Sequence, residues 1–327
     1  MIDVTILVAV YNAEKYLREC LDSLLSQSLQ AFQVICVDDG STDASWDILE
    51  DYAHRDSRIE TIQLTENHGQ AHARNVGLRH AKGTYTCFLD SDDCLSPDAL
   101  QSAVDVFHAH RQTDCVLFHV VNCDEQGTKI SDYPMPSFES LSGDDAFEMS
   151  LTWKIHGIYM VRTDIHLQYP YDESCKSYSD DNTTRIHYLK SREVRCCEGI
   201  YEYRQHAASV THRINASRFD YLRANESMKR QLIDLHVSDR ILSLYENVRW
   251  LVLIDTYMFY YNHRKQLSST EKAYGLSEIK RVWKGIDISR LSLRHCMKFG
   301  YMPFRCSWLL FRLQEEAYFF LRRICHK

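Results

Sequence analysis

Residues 4–10 read Val4-Thr5-Ile6-Leu7-Val8-Ala9-Val10, and residues 32–37 read Phe32-Gln33-Val34-Ile35-Cys36-Val37. Each is a short apolar run rich in β-branched side chains, with none of the polar alternation of a strand wetted on one face. Such runs mark strands buried on both faces, the kind found in parallel sheets covered by helices. Between them, Tyr16, Leu17, Cys20, Leu21, Leu24 and Leu25 recur at helical spacing within 13–27. The rhythm continues outward. A helix over 43–55, capped by Thr42 or Asp43, leads to a strand at 59–64. A helix over 69–80 precedes a strand at 85–89, and a helix over 97–110 precedes a strand at 115–121. Alternating strands and helices predict an α/β fold with a doubly wound, mostly parallel sheet, whose ligands bind beyond the carboxyl ends of the strands.

The stretch 122–142 turns polar and carries Pro134 and Pro136, which predicts a loop excursion. Residues 143–205 mix short elements, with a strand at 193–203. Beyond a boundary near 210–215 the patterns become helical, over 216–236, 239–264, 270–284, 289–298 and 303–325. A catalytic-type domain over 1–212, in halves 1–125 and 126–212, and a helical region over 213–327 are therefore expected.

With 38 Lys plus Arg against 45 Asp plus Glu, the 327-residue chain has a net charge of −7. A mildly acidic protein lacks the basic face that displaces counterions from nucleic acid, so no nucleic-acid partner is expected. No secretory leader or membrane span is read, because Asp3 stands where a leader needs Lys or Arg and the apolar runs are short. A cytoplasmic protein follows. The 12 Cys lack metal or redox spacing and read as buried, reduced thiols. His68 and His72 have the i,i+4 spacing of a helix-borne zinc pair, but no third ligand follows nearby.

Acidic groups stand where strands end: Asp38-Asp39-Gly40-Ser41 after 32–37, and Asp90-Ser91-Asp92-Asp93 after 85–89. Adjacent carboxylates repel unless a cation or donor-rich ligand lies between them. An Asp-x-Asp turn can hold Mg²⁺ or Mn²⁺ while substrate phosphates complete the octahedron. Acids at a helix N-terminus would produce the same pattern. A third pair, Asp180-Asp181, opens the helical segment 183–189.

Four segments occur in order: Val8-Ala9-Val10-Tyr11-Asn12, Val37-Asp38-Asp39-Gly40-Ser41-Thr42-Asp43, Glu66-Asn67-His68-Gly69 with Arg74-Asn75-Val76-Gly77, and Phe88-Leu89-Asp90-Ser91-Asp92-Asp93. Together they resemble the family 2 glycosyltransferases of GT-A fold, well over 3–125 and loosely over 150–212. Ala9 departs from the Pro usual there. The resemblance implies a UDP-sugar donor, with Tyr11 beside the base and Asp39, flanked by Asp38, accepting its imide N–H. It also implies nucleotide contacts from Asn67 and Arg74, the ribose on Asp90 next to Ser91, and Mn²⁺ or Mg²⁺ on Asp92. Asp181 would be the general base, with Asp180 beside it. Arg204 and His206, in Tyr203-Arg204-Gln205-His206, would reach the diphosphate or metal. Trp153 and Lys154 would line the acceptor side. The implied reaction is inverting transfer to a saccharide acceptor, lipid-linked in surface-polysaccharide synthesis. A nucleotidyltransferase and a silent nucleotide-sugar-binding scaffold are the alternatives.

From Arg294 to Lys327 there are seven Lys or Arg and two Glu. Arg305, Trp308, Phe311, Arg312, Tyr318, Phe319, Phe320, Arg322 and Arg323 combine aromatic and cationic character at helical spacing. That suits peripheral contact with the inner face of the plasma membrane through 303–325. A core helix or homo-oligomer contact has the same spacing.

Overall fold

The computed structural model describes residues 2–175, 178–206, 214–297 and 307–325. The chain divides into two compact units, one of residues 1–176 with 180–209, the other of 177–179 with 210–327. The boundary expected near 210–215 begins among residues outside those described.

The first unit is built on ten strands: β1 (Val4–Val10), β2 (Phe32–Asp38), β3 (Ile59–Gln63), β4 (Tyr85–Phe88), β5 (Cys94–Leu95), β6 (Thr113–Cys123), β7 (Lys129–Asp132), β8 (Leu141–Ser142), β9 (Tyr159–Arg162) and β10 (Glu193–Arg204). Its helices are α1 (Leu17–Leu25), α2 (Ser45–Arg55), α3 (Gln70–Leu78), α4 (Ala99–Ala109), α5 (Gly143–Ser150), α6 (Thr163–Gln168) and α7 (Asp180–Lys190). The sheet order is β3-β2-β1-β4-β9-β6-β10-β5. The first four strands are parallel; β9 then runs antiparallel between β4 and β6, and β10 is parallel to β6.

The double burial expected of β1 is realised face by face. Val4, Ile6, Val8 and Val10 pack with Leu17, Leu21, Leu24 and Ile48. Leu7 packs with Ile35, Val37, Ala73 and Val76 on the other face. A further layer joins Cys115 and Leu117 of β6 to Ala146 and Tyr188, which seats α5 and α7 on the later half of the sheet. The stretch read as a loop over 122–142 contains β7 and β8, paired with β6 and β10. Neither expected cap forms at α2, whose Ala44 cap makes no side-chain bond, although Asp43 Oδ1 accepts from the Ser45 N–H at 3.0 Å.

The second unit is helical: α8 (Asp220–Asp234), α9 (Asp239–His263), α10 (Ser269–Gly285), α11 (Leu293–Met297) and α12 (Trp308–Cys325). Trp250, Leu253, Tyr257, Trp283, Phe311 and Phe319 form its core. A capping box at Ser268 and Glu271 sets the start of α10. Of the expected helix over 303–325, residues 303–306 lie outside those described. Ten cysteines are free thiols among the described residues. No described helix is long and apolar enough to cross a membrane.

One buried charge ties β6 to two other elements. The Asp114 carboxylate accepts from Arg162 Nε at 2.8 Å, and from Arg192 Nη2 at 2.6 Å and its backbone N–H at 2.8 Å. Burial alone would raise this carboxyl; the hydrogen bonds from Arg192 outweigh it and hold it below its ordinary value. Asp114→Ala removes the shared acceptor of Arg162 and of the half-exposed Arg192, which keeps Gln112 Oε1 at 3.2 Å. It is expected to cost about 2 kcal/mol, within the range for hydrogen bonds to a charged group. Urea denaturation measures this, and a loss under about 1 kcal/mol would show that solvent replaces the carboxylate.

Candidate active site

The ends of β2 and β4 carry the acids expected there, and the fold assigns them different work. Asp38 and Asp39 are both buried. Asp39 Oδ1 accepts the His68 N–H at 2.9 Å and Oδ2 accepts the Gly69 N–H at 2.7 Å. Asp39 is therefore committed first to the loop that carries Asn67, and a base N–H can use only a remaining lone pair. The turn must pass close to that loop. A Cβ on Gly40, whose φ is +74°, would lie 2.9 Å from the Glu66 backbone, so glycine is required on two counts. Asp38 faces the Ser41 N–H at 3.3 Å. Tyr11 is 50% exposed at the end of β1, available for stacking. Ala9 packs on the α3 side of the sheet.

At the end of β4 the acids are held apart by cations and donors. The Arg74 guanidinium, buried in α3, lies over the Phe88 ring at 4.0 Å and near Tyr171 at 5.3 Å. It donates through Nη2 to Asp90 Oδ1, which also accepts from Gln70 Nε2 at 2.8 Å. Burial pushes the Asp90 carboxyl up to about 6 against the pull of Arg74, with the neighbouring Asp92 adding to the rise. Asp93 is the buried member. Its Oδ2 accepts from Tyr201 Oη at 2.8 Å and its Oδ1 from the Arg204 N–H at 2.7 Å. Tyr201 Oη in turn accepts the Asp90 N–H at 3.1 Å.

Arg204 corrects one expectation. Its Nε donates to the Asp92 carbonyl at 3.0 Å, Nη1 to the Glu125 carbonyl at 2.7 Å and Nη2 to Glu19 Oε2 at 2.5 Å, while the plane covers Tyr16 at 4.8 Å. The guanidinium is spent on protein partners and acts as a strut beneath the turn, because β10 delivers it to the inside of that turn. His206, two residues on, stands beside Asp92: its Nε2 lies 2.8 Å from Asp92 Oδ2, and its ring packs on Tyr16. Ser91 sits half-buried between the two functional acids.

The third acidic pair lies in the first turn of α7. Asp180 and Asp181 line a cavity of about 350 Å³ together with Arg74, Asp90, Trp153 and Tyr203. Burial raises the Asp181 carboxyl to about 7; Arg185, 4.0 Å away, opposes the rise and Asp180 adds to it. Arg185 also lies over the Trp153 ring at 5.5 Å. Trp153 has φ +57°, a strained conformation for a bulky residue, and is 45% exposed at the rim. Lys154 points elsewhere: it is exposed and does not line the cavity.

Sequence reasoning assigned no role to Asp93, Gln70, Glu19 or Tyr171. A third acid closing the Asp90-Ser91-Asp92 turn was a visible signal for Asp93. Glu19 and Tyr171 lie far along the chain from their partners and carried none. Among the described residues, no group of three or more His, Cys, Asp and Glu is arranged to hold a metal ion. His72 Nδ1 pairs with Glu173 at 2.8 Å, and Asp92 with His206 is a set of two. Cis ligands around an octahedral ion at about 2.1 Å stand about 3 Å apart, so this pair fits an ion whose other ligands come from substrate and water.

A mostly parallel sheet with acidic turns at its strand ends, facing an acidic helix start across one cavity, has the GT-A architecture. Residues 5–166 match the family described as Glycosyl transferase family 2, and the chain belongs to that family. The Bacillus subtilis (strain 168) proteins EpsH and EpsJ, both named as glycosyltransferases, are 29% identical over 226 residues and 31% identical over 223 residues. These matches cover 66% and 64% of this chain, and 65% and 62% of the relatives, so the chain spans less than two thirds of either. The crystal structure of S. aureus TarS 1-349 in complex with UDP-GlcNAc is similar in fold, with a TM-score of 0.73 and 18% identity over 97% of this chain and 89% of that one.

Asp39→Asn presents an amide N–H₂ to one of two backbone N–H donors and leaves that donor unsatisfied. The expected cost is about 2 kcal/mol, read by urea denaturation. A change below about 0.5 kcal/mol would mean that solvent, and not Asp39, holds the 66–69 loop.

Proposed function

We propose that this protein is an inverting glycosyltransferase that moves a sugar from a UDP-sugar to a saccharide acceptor in the assembly of a bacterial surface polysaccharide. The observation that carries this is the single cavity shared by Asp90 and Arg74, from the β4 end and α3, and Asp180 and Asp181, from α7. A donor anchored at the strand ends would present its anomeric carbon to an acid about ninety residues downstream. TarS, named in a complex with UDP-GlcNAc, supports a UDP-sugar donor. A Bacillus spizizenii relative named poly(ribitol-phosphate) beta-glucosyltransferase, 40% identical over 117 residues (35% of this chain, 18% of that protein), supports a surface-polymer setting. A lipid-linked acceptor suits that setting.

In this reading the base stacks by Tyr11, the ribose meets Asp90, and Arg74 holds Asp90 in place. Asp181 takes the proton of the acceptor hydroxyl as its oxygen attacks the anomeric carbon. The bond from that carbon to the diphosphate breaks with its electron pair on the leaving oxygen, which inverts the centre. A carboxyl near 7 is well matched to that proton transfer. Asp92 and His206 would hold Mn²⁺ or Mg²⁺, which when bound supplies positive charge to the departing diphosphate.

Asp181→Asn should retain UDP affinity by calorimetry and lose transfer by at least about 10²-fold, the lower range for general-base catalysis. Because the base must be ionised, wild-type kcat/KM should fall as pH drops through about 7. Near-normal transfer by the variant would move the role to another group. Phosphate-ester formation in place of glycoside formation would favour a nucleotidyltransferase, and bound UDP-sugar without turnover in wild type would favour a scaffold.

The helical unit supports a second, peripheral role. Leu309, Leu310, Leu313, Phe320, Leu321 and Ile324 of α12 are exposed, and at about 100° per residue they occupy one arc of about 120°. The arginines are drawn elsewhere: Arg312 bonds Tyr257 Oη at 3.1 Å and Glu316 at 2.8 Å, and Arg322 lies 3.6 Å from Met258 Sδ. Arg305 lies outside the described residues. Attachment at the inner face of a membrane would then rest on apolar insertion more than on lipid charge. Full-length protein should co-sediment with anionic vesicles almost equally at low and high salt. If it ignores vesicles and light scattering gives a dimer mass, the arc belongs to a homo-oligomer.

A further inference from the structure

The cavity that would receive the transferred sugar has an unbalanced charge lining. Asp90, Asp180 and Asp181 face it, and Arg74 is the one cation among its described lining residues. Arg74 is already engaged by Asp90 and is 2% exposed between Phe88 and Tyr171. Arg185 stands 4.0 Å from Asp181 but belongs to the wall behind it, 3% exposed and over Trp153. The rest of the lining is mostly aromatic or apolar, with Phe88, Tyr133, Trp153, Tyr171 and Tyr203 among it, and its other polar members, Asn122, Thr184 and the buried His156, carry no charge at neutral pH. Rings of this kind cover the apolar faces of a pyranose, while carboxylates accept its hydroxyls. A volume of about 350 Å³ lies at the small end of ligand pockets, which start at about 300 Å³.

Resting on the glycosyltransferase reading, we propose that the donor sugar is an uncharged pyranose, and that the acidic cavity rejects sugars bearing a carboxylate or phosphate. A uronate would bring its C6 carboxylate toward Asp180 and Asp181, with no free cation among the described lining residues to receive it. One such like-charge encounter in a partly screened site is worth about tenfold or more in affinity. Neutral hexoses and N-acetylhexosamines meet no such opposition and differ from their uronates by the oxidation state of one carbon. The selection therefore acts on charge at nearly constant shape.

The test is calorimetric, with the full chain, Mn²⁺ and three probes: UDP, UDP-glucose and UDP-glucuronate, then the galactose pair. UDP sets the reference for the nucleotide site. UDP-glucose or UDP-galactose should bind at least as tightly as UDP, and each uronate at least about tenfold more weakly than its neutral partner. In Asp180→Asn the gap should shrink. A uronate that binds as well as its neutral partner overturns the inference while leaving UDP-sugar binding intact, and so does a gap that Asp180→Asn leaves unchanged, since shape would then be the discriminator. Failure of UDP itself to bind would instead sink the underlying glycosyltransferase reading.

Discussion

The buried Asp93 carboxylate is the constraint on which the rest of the site depends. By accepting from Tyr201 Oη and the Arg204 N–H, it fastens the turn after β4 to the last residues of β10. These segments are more than a hundred residues apart in sequence. That clamp acts with the pairing of Tyr201 and Glu202 opposite Leu95 and Cys94 to fix the register in which His206 meets Asp92 and Arg204 braces the turn from beneath. The cost of burying this acid is visible in its carboxyl, which burial raises well above the ordinary range, with Asp90 and Asp92 adding to the rise. Two short hydrogen bonds offset that cost, as buried polar groups require. Asp93 thus gives its neighbours Asp90 and Asp92 fixed positions.

The sheet topology does the same at larger scale. β9 inserts antiparallel between β4 and β6, so the chain returns beside β4 before it reaches α6 and α7. The layer of Cys115, Leu117, Ile155 and Tyr188 then seats α7, whose first turn delivers Asp180 and Asp181 to the cavity that Asp90 already lines. The loop after α6 contributes Tyr171, whose ring backs Arg74 and whose N–H and C=O are held by Asn75 at 2.8 and 2.9 Å. Arg74 is consequently fixed by aromatic faces as well as by charge, which suits a cation required to hold one orientation among several acids.

The sequence was most informative where local chemistry and tertiary environment agree. The buried parallel strands β1 and β2 announced themselves because both faces are covered and, before the terminal Asp38, their only polar side chains, Thr5 and Gln33, are buried and bond each other at 2.9 Å. The positions of the acidic turns followed from strand ends alone. Resemblance supplied roles that periodicity could not, and the structure sets those residues apart: Asp39 and Arg204 bond mainly to protein, while Asp90 and Asp181 line one cavity and Asp92 meets His206. What escaped was long-range pairing. Glu19 receives Arg204 across 185 residues, and no local pattern marks such a partner. The 122–142 stretch was misread as loop for a related reason. β7 and β8 are only four and two residues long and owe their conformation to β6 and β10, so tertiary pairing decides where propensity is silent.

Charge balance links the architecture to its chemistry. Asp114 is held below its ordinary value, so its contribution to stability is present at neutral pH and is lost only as pH falls through the carboxylate range. Asp90 and Asp181 have the opposite sign. Their folded-state carboxyls are raised to about 6 and about 7, so they favour the fold when protonated, and that contribution is lost as pH rises through those values. The first unit therefore gains from its structural acid at the same pH at which its site acids oppose folding. A group that brings positive charge or hydrogen-bond donors to the site acids relieves that opposition. The native state binds such a group better than the unfolded chain does, and the acids that oppose folding are the ones positioned to recognise it.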